Sequence, residues 1–501
     1  MENKSKPHYF NFRNIMPPEA AALFFIQIFS TLAFSVLYST LVLYSTQGLK
    51  LSDAMATGIT ASFVAFNYAL HLLGGYIGGR YLSNRTLFSL GMILQMIGCI
   101  LLAFSSTNSF FWGLSAFLAG SGLNVTCINC MLTQLFQPND RKRETAFLWN
   151  YSGMNIGFFV GFSISGYFQL HHAYSQLFIL SSLGNLIALL ITFFKWRSLG
   201  DRNTKLLLLH EKKQRTAHIN GFFMVIALLL ALRWMLEHAQ FSNNLIMSVG
   251  ITMVFVFVYI AMKQPPGEQR SKIWAFIILS FTSLVFWTLY QLAPMGMTLF
   301  IERNVDRHYL GILVAPQWVQ NINTIVIILG GPLLSIAFAA LRERGVHFTI
   351  PMQFSIALIL IGLSFAILPL GIHFADAQGL SHFNWILASY ILQSLGELFI
   401  SPIGYAMIGQ LAPQQLQGVM MGTWMMITGV AATLSGYFSS MALGSTASID
   451  PLVTNPSFSH TFGLLGWSAM GTGVGLVFLI PLILRLTQEK KLSNAEISSP
   501  A

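Results

Sequence analysis

The chain contains 501 residues, of which 54% are hydrophobic and 9% are charged, and its mean hydropathy is +0.64. A soluble domain carries about 25% charged residues, because its surface must be hydrated. This composition excludes a soluble enzyme, a disordered chain and a nucleic-acid-binding domain, although the formal net charge is +10. It indicates a polytopic membrane protein.

The hydrophobic residues are grouped into runs that are long enough to cross a bilayer, which takes about 20 residues of helix. Because backbone polar groups must be hydrogen-bonded within lipid, we expect each run to be a helix, and the runs are too long and uniform for a β-barrel. Fourteen runs are predicted, at 19–46, 54–80, 86–105, 109–136, 146–170, 174–196, 219–236, 243–262, 273–301, 310–341, 350–372, 383–411, 416–443 and 460–486.

The basic residues predict the orientation of these runs. With a cytoplasmic N-terminus, fourteen spans place all but four of the 27 Lys and Arg residues on the cytoplasmic side. The four outer ones are Lys50, Arg233, Arg303 and Arg307. Cytoplasmic loops carry an excess of Lys and Arg, so we expect both termini to be cytoplasmic.

Two segments of similar pattern indicate two halves. GGYIGGRYLSNR at 74–85 and GGPLLSIAFAALRERG at 330–345 each combine a glycine pair with two basic residues at the predicted cytoplasmic end of a run. We expect two six-helix bundles around a central site, a transporter architecture. The predicted segments are a cytoplasmic tail 1–18, a bundle 19–196, a basic linker 197–218 that contacts anionic headgroups, an inserted pair 219–262, a bundle 273–487 and a tail 488–501.

Glu397, in LQSLGELFISPIGY, is the clearest ionisable residue near mid-membrane. Such a residue is costly in lipid and therefore indicates function, here as a substrate ligand and proton carrier, or else as a structural acid bonded to a neighbouring helix. Uncharged polar residues can line the same site, although each one can also join helices. The other predicted substrate-binding residues are Asn155, Asn323, Tyr68, Gln27, Tyr38, Trp287, Gln291 and Trp424.

Several other kinds of site are not expected. The sequence lacks a phosphate-binding glycine loop followed by Lys and Ser or Thr, so an ATP-driven pump is not predicted. Cys99, Cys127 and Cys130 lie in apolar runs and are predicted to pack between helices. We expect no cofactor, no metal and no catalytic residues.

Five segments resemble the proton-dependent oligopeptide transporters, a branch of the major facilitator superfamily, and the resemblance covers about residues 20–487. The segment 150–157, NYSGMNIG, is similar to the family's fifth-helix motif, and 396–413, GELFISPIGYAMIGQLAP, to its tenth-helix signature, the most specific of the five. MMGTW at 420–424, and FIERNVD with PQWVQNIN at 300–306 and 316–323, resemble its eleventh helix and its seventh-to-eighth helix region. The resemblance implies an all-α major facilitator fold with twelve core transmembrane helices and two inserted helices, fourteen in total.

The chain departs from this family at its charged motifs. The first-helix E-x-x-E-R is replaced by Gln27, Ser30 and Thr31, and the fourth-helix lysine by Val125. A seventh-helix acid is replaced by Tyr290 or Gln291, and a loop acid by Gly79. In the family the missing charges couple protons and bind the peptide carboxylate, while the tenth-helix glutamate binds the amino group. Glu397, Asn155 and Asn323 therefore retain the ammonium end of such a site.

The resemblance implies a secondary active transporter of di- and tripeptides or related amino-bearing solutes, proton-coupled and working by alternating access. The alternatives are a proton-independent transporter, a transporter of amines, amides or capped peptides in either direction, and a non-transporting receptor or scaffold. The expected partners are a small peptide or amino-bearing solute, protons and membrane lipid, with no nucleic acid, and the chain is expected to be a monomer. The expected location is the bacterial inner membrane.

Overall fold

The computed structural model describes residues 17–137, 140–345, 348–411, 416–444 and 448–487, and the predicted tails and the Ala412-Pro413 end of the tenth-helix signature fall wholly or mainly outside these ranges. Its described part is almost entirely helical. The α-helices are α1 (Pro18–Leu43), α2 (Asp53–Ile77), α3 (Asn84–Leu102), α4 (Thr107–Gln134), α5 (Arg141–Leu170), α6 (Tyr174–Phe194), α7 (Glu211–Glu237), α8 (Ala239–Lys263), α9 (Glu268–Tyr290), α10 (Thr298–Asn304), α11 (Pro316–Glu343), α12 (Ile350–Ala366), α13 (Leu368–His373), α14 (Phe383–Leu411), α15 (Gln417–Leu443) and α16 (Pro451–Thr487).

Each of the fourteen predicted runs coincides with a long helix. Twelve helical stretches are long and apolar enough to cross a membrane among the residues that the structure describes. The other two runs correspond to α5 and α14, which are 30 and 29 residues long. The prediction of fourteen helices is therefore confirmed.

Four short strands lie in the connections that follow α10 and precede α14. The strands β1 (Val305–Asp306) and β4 (Ser381–His382) pair in parallel, and β2 (His308–Tyr309) pairs antiparallel with β3 (Ile312–Leu313). Leu310 and Gly311 form the turn of this hairpin, and both have positive φ angles, 52° and 80°. Two consecutive positive φ values are the requirement of a type I′ hairpin turn.

The helix that follows the inserted pair is broken within its span. The helix α9 ends at Tyr290, and a π-helical turn, Ala293–Met297, leads into α10. Met295 has non-helical backbone angles of −122° and −106°, next to Pro294, whose ring cannot occupy a regular helix interior. Interrupted membrane helices place backbone and side-chain polar groups at binding sites in transporters.

The chain divides into two compact units. One consists of residues 1–37, 70–161 and 175–233, and its buried core includes Ile26, Phe88 and Met131. The other consists of residues 38–69, 162–174 and 234–501, with a larger apolar core that contains Phe286 and Phe354. Both cores are built of aliphatic and aromatic side chains contributed by several helices.

Candidate substrate-binding site

The carboxylate of Glu397 is half-buried in the second unit and is held by an amide. Asn323, on α11, donates a hydrogen bond of 2.7 Å from Nδ2 to Glu397 Oε2 on α14. The same amide group donates to the hydroxyl of Ser394 at 3.2 Å. A hydrogen bond to an ionised carboxylate is shorter and stronger than a neutral one, so Asn323 fixes the orientation of Glu397.

Ser394 lies one helical turn before Glu397 and therefore on the same face of α14. Its hydroxyl donates to the backbone oxygen of Tyr390 at 2.6 Å, which leaves its oxygen as an acceptor for Asn323. Tyr290, at the end of α9, is a second hydrogen-bonding neighbour of the Glu397 carboxylate. Three helices thus contribute one polar group each around this acid.

A second polar group in the same unit joins two tyrosines through a glutamine. Gln291 is fully buried just after the end of α9. Its Oε1 accepts from the Tyr38 hydroxyl at 3.0 Å, and its Nε2 donates to the Tyr68 hydroxyl at 3.5 Å. Tyr290 interacts electrostatically with both tyrosines and with Glu397. The two groups therefore form one site beside the break in the α9–α10 span.

Trp287 lies one turn before Gln291 and packs edge-on against Phe286 and Tyr290, with ring centroids 5.3 and 5.4 Å away. Its indole nitrogen is buried and has no hydrogen-bond partner among the described residues, and the same is true of the Tyr390 hydroxyl. A buried donor without a partner costs about 1–3 kcal/mol. Both groups are therefore available to bond a ligand.

Trp424 has a different environment from Trp287. It is 4% exposed and packs against Phe354, with ring centroids 6.4 Å apart. A methyl group on Gly404 would lie 2.2 Å from its ring, so α14 and α15 approach closely at this point. In this conformation Trp424 is a core residue of the second unit.

Gln27 and Asn155 belong to the first unit. Gln27 is 5% exposed, donates to Thr31 Oγ1 at 2.8 Å and accepts from Asn150 Nδ2 at 3.3 Å. Asn155 is half-buried and donates to the backbone oxygen of Tyr151, on its own helix, at 3.0 Å. Gln27 and Thr31 stand where the resemblance implies a glutamate and an arginine, and with Asn150 they form a neutral network.

Seven of the nine predicted ligands lie in the second unit, and five of them, Glu397, Asn323, Tyr38, Tyr68 and Gln291, form the two bonded groups. Sequence reasoning did not select Ser394 or Tyr390. The spacing of Ser394 from Glu397 on one helix was an available signal. No signal in the sequence indicated the unpaired hydroxyl of Tyr390.

An ion-pair network near the short strands was also missed. Arg303 binds Asp53 with two hydrogen bonds, of 2.6 and 2.7 Å. Glu302 pairs with Arg307 at 3.2 Å and accepts from Gln47 at 3.1 Å and from Gln169 at 3.4 Å. These contacts, all within the second unit, join the π-helical turn Tyr44–Gly48 after α1, the C-terminal ends of α5 and α10 and the start of α2. The basic members of the network lie on the side predicted to be outside.

Within the described residues, no group of three or more His, Cys, Asp or Glu side chains is placed to hold a metal ion. The three cysteines are free thiols.

Comparison with known proteins identifies the family. The POT family matches residues 85–454. The chain is 30% identical to dipeptide and tripeptide permease A of Cronobacter turicensis, over 94% of this chain and 93% of the relative, and 30% identical to that of Escherichia coli (strain K12), over 95% of both. A crystal structure of a peptide transporter POT in complex with sulfate superposes with a TM-score of 0.81 at 25% identity, covering 94% of this chain and 96% of that one.

These similarities extend over nearly the whole length of the chain and confirm the all-α major facilitator fold. The matched family consists of transporters, which agrees with the expectation that the chain is not an enzyme. The chain is a multi-pass membrane transporter, and it belongs to the POT family.

Proposed function

We propose that the protein transports di- and tripeptides or closely related amino-bearing solutes, coupled to protons, by alternating access. The observation that carries the proposal is the half-buried carboxylate of Glu397, oriented by Asn323 and bordered by Tyr290. A peptide amino terminus is an ammonium group, and a carboxylate of fixed orientation is its natural partner. The relatives at 30% identity are named as dipeptide and tripeptide permeases, which supports this solute class.

The proton and the solute would use the same carboxylate. Within the predicted core runs, Glu397 is the one charged residue that is not at the end of a run. Proton binding neutralises the acid, and an incoming ammonium group favours its ionised form. Protonation of Glu397 and binding of the ammonium group are therefore linked, and this linkage makes solute transport depend on the proton gradient.

The remaining predicted ligands would surround the peptide. Tyr38, Tyr68 and Gln291 supply hydroxyl and amide groups, and Trp287 supplies a ring face and an unpaired N–H. The resemblance implies the same kind of role for Gln27, Asn155 and Trp424. We retain these three as proposed ligands of another conformational state.

We further propose that the protein lies in a bacterial inner membrane as a monomer, with both termini in the cytoplasm. The distribution of Lys and Arg supports this orientation. The proposed segments are the two bundles 19–196 and 273–487, joined by the linker 197–218 and the inserted pair 219–262.

A second candidate solute is an amine, amide or C-terminally capped peptide. The neutral Gln27–Thr31–Asn150 network favours it, because this network offers no cation to a peptide carboxylate. A guanidinium group supplies both charge and paired donors, which a threonine hydroxyl cannot replace.

The test is uptake of a labelled dipeptide into liposomes that contain the purified protein, with and without an inside-alkaline pH gradient. We expect gradient-driven accumulation by the wild type and its loss in Glu397→Gln, which keeps the side-chain volume and removes the acid. Glu343→Gln is the matched control, because Glu343 is an exposed acid at the end of α11.

Equal accumulation of the dipeptide with and without the pH gradient would contradict proton coupling. Saturable binding without accumulation would favour a receptor over a transporter. Equal uptake by Glu397→Gln and the wild type would remove Glu397 from the mechanism.

A further inference from the structure

A basic cavity of about 410 Å³ lies in the first unit, on the side predicted to be cytoplasmic. Its walls come from the end of α2, from the short helix Lys205–Leu208 and from the start of α7. The basic and phenolic side chains that line it are Tyr76, Arg80, Tyr81, Lys205 and Lys213. None of the nine residues that line it is acidic.

The linker 197–218 is held beside the cavity by a backbone hydrogen bond. The backbone N–H of Leu206 donates to the backbone oxygen of Gly79 at 2.9 Å, and the Leu206 side chain is 3% exposed. Gly79 has a φ of +71°, a conformation that glycine adopts without strain. Lys205 therefore has a defined place beside Arg80.

A second contact fixes the linker a few residues earlier. The carboxylate of Asp201 accepts from the backbone N–H of Asn84 at 3.1 Å and from its side-chain amide at 3.0 Å. Asp201, one of the two acids in the linker, is thus paired at the start of α3. Among the described residues, Arg80, Lys205 and Lys213 form no ion pair with an acid.

The aromatic residues add donors to this charge. The guanidinium of Arg80 lies over the Tyr76 ring, 5.0 Å from its centroid, and the two phenol oxygens of Tyr76 and Tyr81 are 3.4 Å apart. The hydrogen bond with Tyr76 raises the pKa of the Tyr81 phenol, which remains a neutral donor at physiological pH. Three cations and two phenols converge on one opening, a donor set that suits a phosphate group.

Apolar side chains stand next to the basic ones. Leu207, Leu208 and Leu209 are 50%, 86% and 36% exposed, at the surface of a protein whose linker follows a membrane helix. Exposed leucines beside cations match the two parts of a phospholipid, its acyl chains and its headgroup. A free phosphate ion would leave these leucines without a partner.

We propose that this cavity binds the phosphate headgroup of an anionic phospholipid of the cytoplasmic leaflet. Arg80, Lys205 and Lys213 bind the phosphate, the free O–H of the Tyr76–Tyr81 pair donates to one of its oxygens, and the acyl chains lie against Leu207–Leu209. The bound lipid then joins the linker to the end of α2. This part of the chain, the segment GGYIGGRYLSNR, lies outside the proposed transport site.

The test counts bound lipids by native mass spectrometry of the purified full-length protein, titrated with phosphatidylglycerol or with phosphatidylcholine of the same acyl chains. We expect phosphatidylglycerol to bind the wild type about tenfold more tightly or better, because each surface cation contributes to attraction of an anionic headgroup. The variant Arg80→Gln/Lys205→Gln/Lys213→Gln should lose this preference.

The matched control is Arg197→Gln/Lys212→Gln/Arg215→Gln, which removes three exposed cations from the same linker region outside the cavity. It should retain the preference. Equal loss in both variants would overturn the site, because it would show attraction by net charge alone. A competition experiment with millimolar inorganic phosphate distinguishes a lipid from a free ion. If phosphate displaces the lipid and raises the Tm of the protein as much as the lipid does, the proposal is overturned and the cavity binds soluble phosphate.

If the triple variant does not fold, Arg80→Gln alone decides the question. It should lower the affinity for phosphatidylglycerol and leave the affinity for phosphatidylcholine unchanged. No change in either affinity would contradict the proposal. The measurement is independent of peptide uptake, so its failure leaves the proposed transport function untouched.

Discussion

At the scale of single residues, the proposed function gives the amide of Asn323 the role of orienting the Glu397 carboxylate toward a solute. Its 2.7 Å hydrogen bond is made to a carboxylate, and such a bond contributes about 1.5–3 kcal/mol when the acid is ionised. We expect Asn323→Ala to raise the KM for peptide by roughly one to two orders of magnitude, measured as uptake kinetics in proteoliposomes.

Ser394→Ala is the comparison for that variant. It removes only the neutral 3.2 Å contact to the same amide, so its effect on KM should be several times smaller. An equal change in both variants would mean that Asn323 acts through Ser394 rather than through the carboxylate.

At the scale of elements, the packing of α5 on α1 depends on glycines. A methyl group on Gly157 would lie 2.6 Å from the backbone oxygen of Ile28 and 2.8 Å from Cβ of Thr31. Overpacking of this kind costs about 1–3 kcal/mol. We expect Gly157→Ala to lower the Tm of the purified protein and to reduce its yield.

Gly475→Ala on α16 is the control for this packing argument. A methyl group there would meet nothing within 4 Å, and alanine is favoured over glycine in a helix by about 0.5–1 kcal/mol. Its Tm should therefore be unchanged or slightly higher. A fall in Tm of the same size in both variants would remove close packing as the reason for Gly157.

The pair Asp53–Arg303 ties the start of α2 to α10 through two hydrogen bonds, and its side chains are 29% and 15% exposed. Breaking a partly buried pair by removing one charge leaves the other without compensation. We expect Asp53→Asn and Arg303→Gln each to lower the initial rate of uptake several-fold. The exchange Asp53→Arg/Arg303→Asp should recover part of that rate, and no recovery would show that the pair itself is not required.

At the scale of the whole molecule, hydropathy predicted the helices because lipid permits few other structures. Glu397 was predicted as a ligand from its isolation as a charge in an apolar run. The contacts that orient it could not be predicted. Asn323 is 74 residues from Glu397 in the sequence, and Arg303 is 250 residues from Asp53. Whether such residues meet depends on the rotation of each helix about its axis.

Trp424 illustrates the same limit for large side chains. Its position in a motif says which helix it belongs to, but not whether its ring faces a solute or the core. The ring packs between Phe354 and Gly404 because the glycine allows α14 to approach α15 closely. That approach is a property of two helices together and not of either sequence alone.

The distribution of charge over the whole chain predicts which end of a peptide is recognised. The interiors of the predicted core runs contain one acid, Glu397, and no Lys or Arg. In the proposed site, a peptide's amino group would therefore have a charged partner, whereas its carboxylate would meet only neutral donors such as amides and hydroxyls. A site of this kind discriminates strongly against loss of the ammonium group and weakly against loss of the carboxylate.

We therefore expect dialanine amide to compete with labelled dialanine uptake within a few-fold of unlabelled dialanine, and N-acetyl-dialanine to compete at least about tenfold more weakly. Inhibition curves in proteoliposomes measure both. Glu397→Asp, which keeps the charge, should preserve the order of the three competitors. Strong inhibition by the acetylated peptide together with none by the amide would reverse the assignment, because it would require a cation that the core runs do not contain.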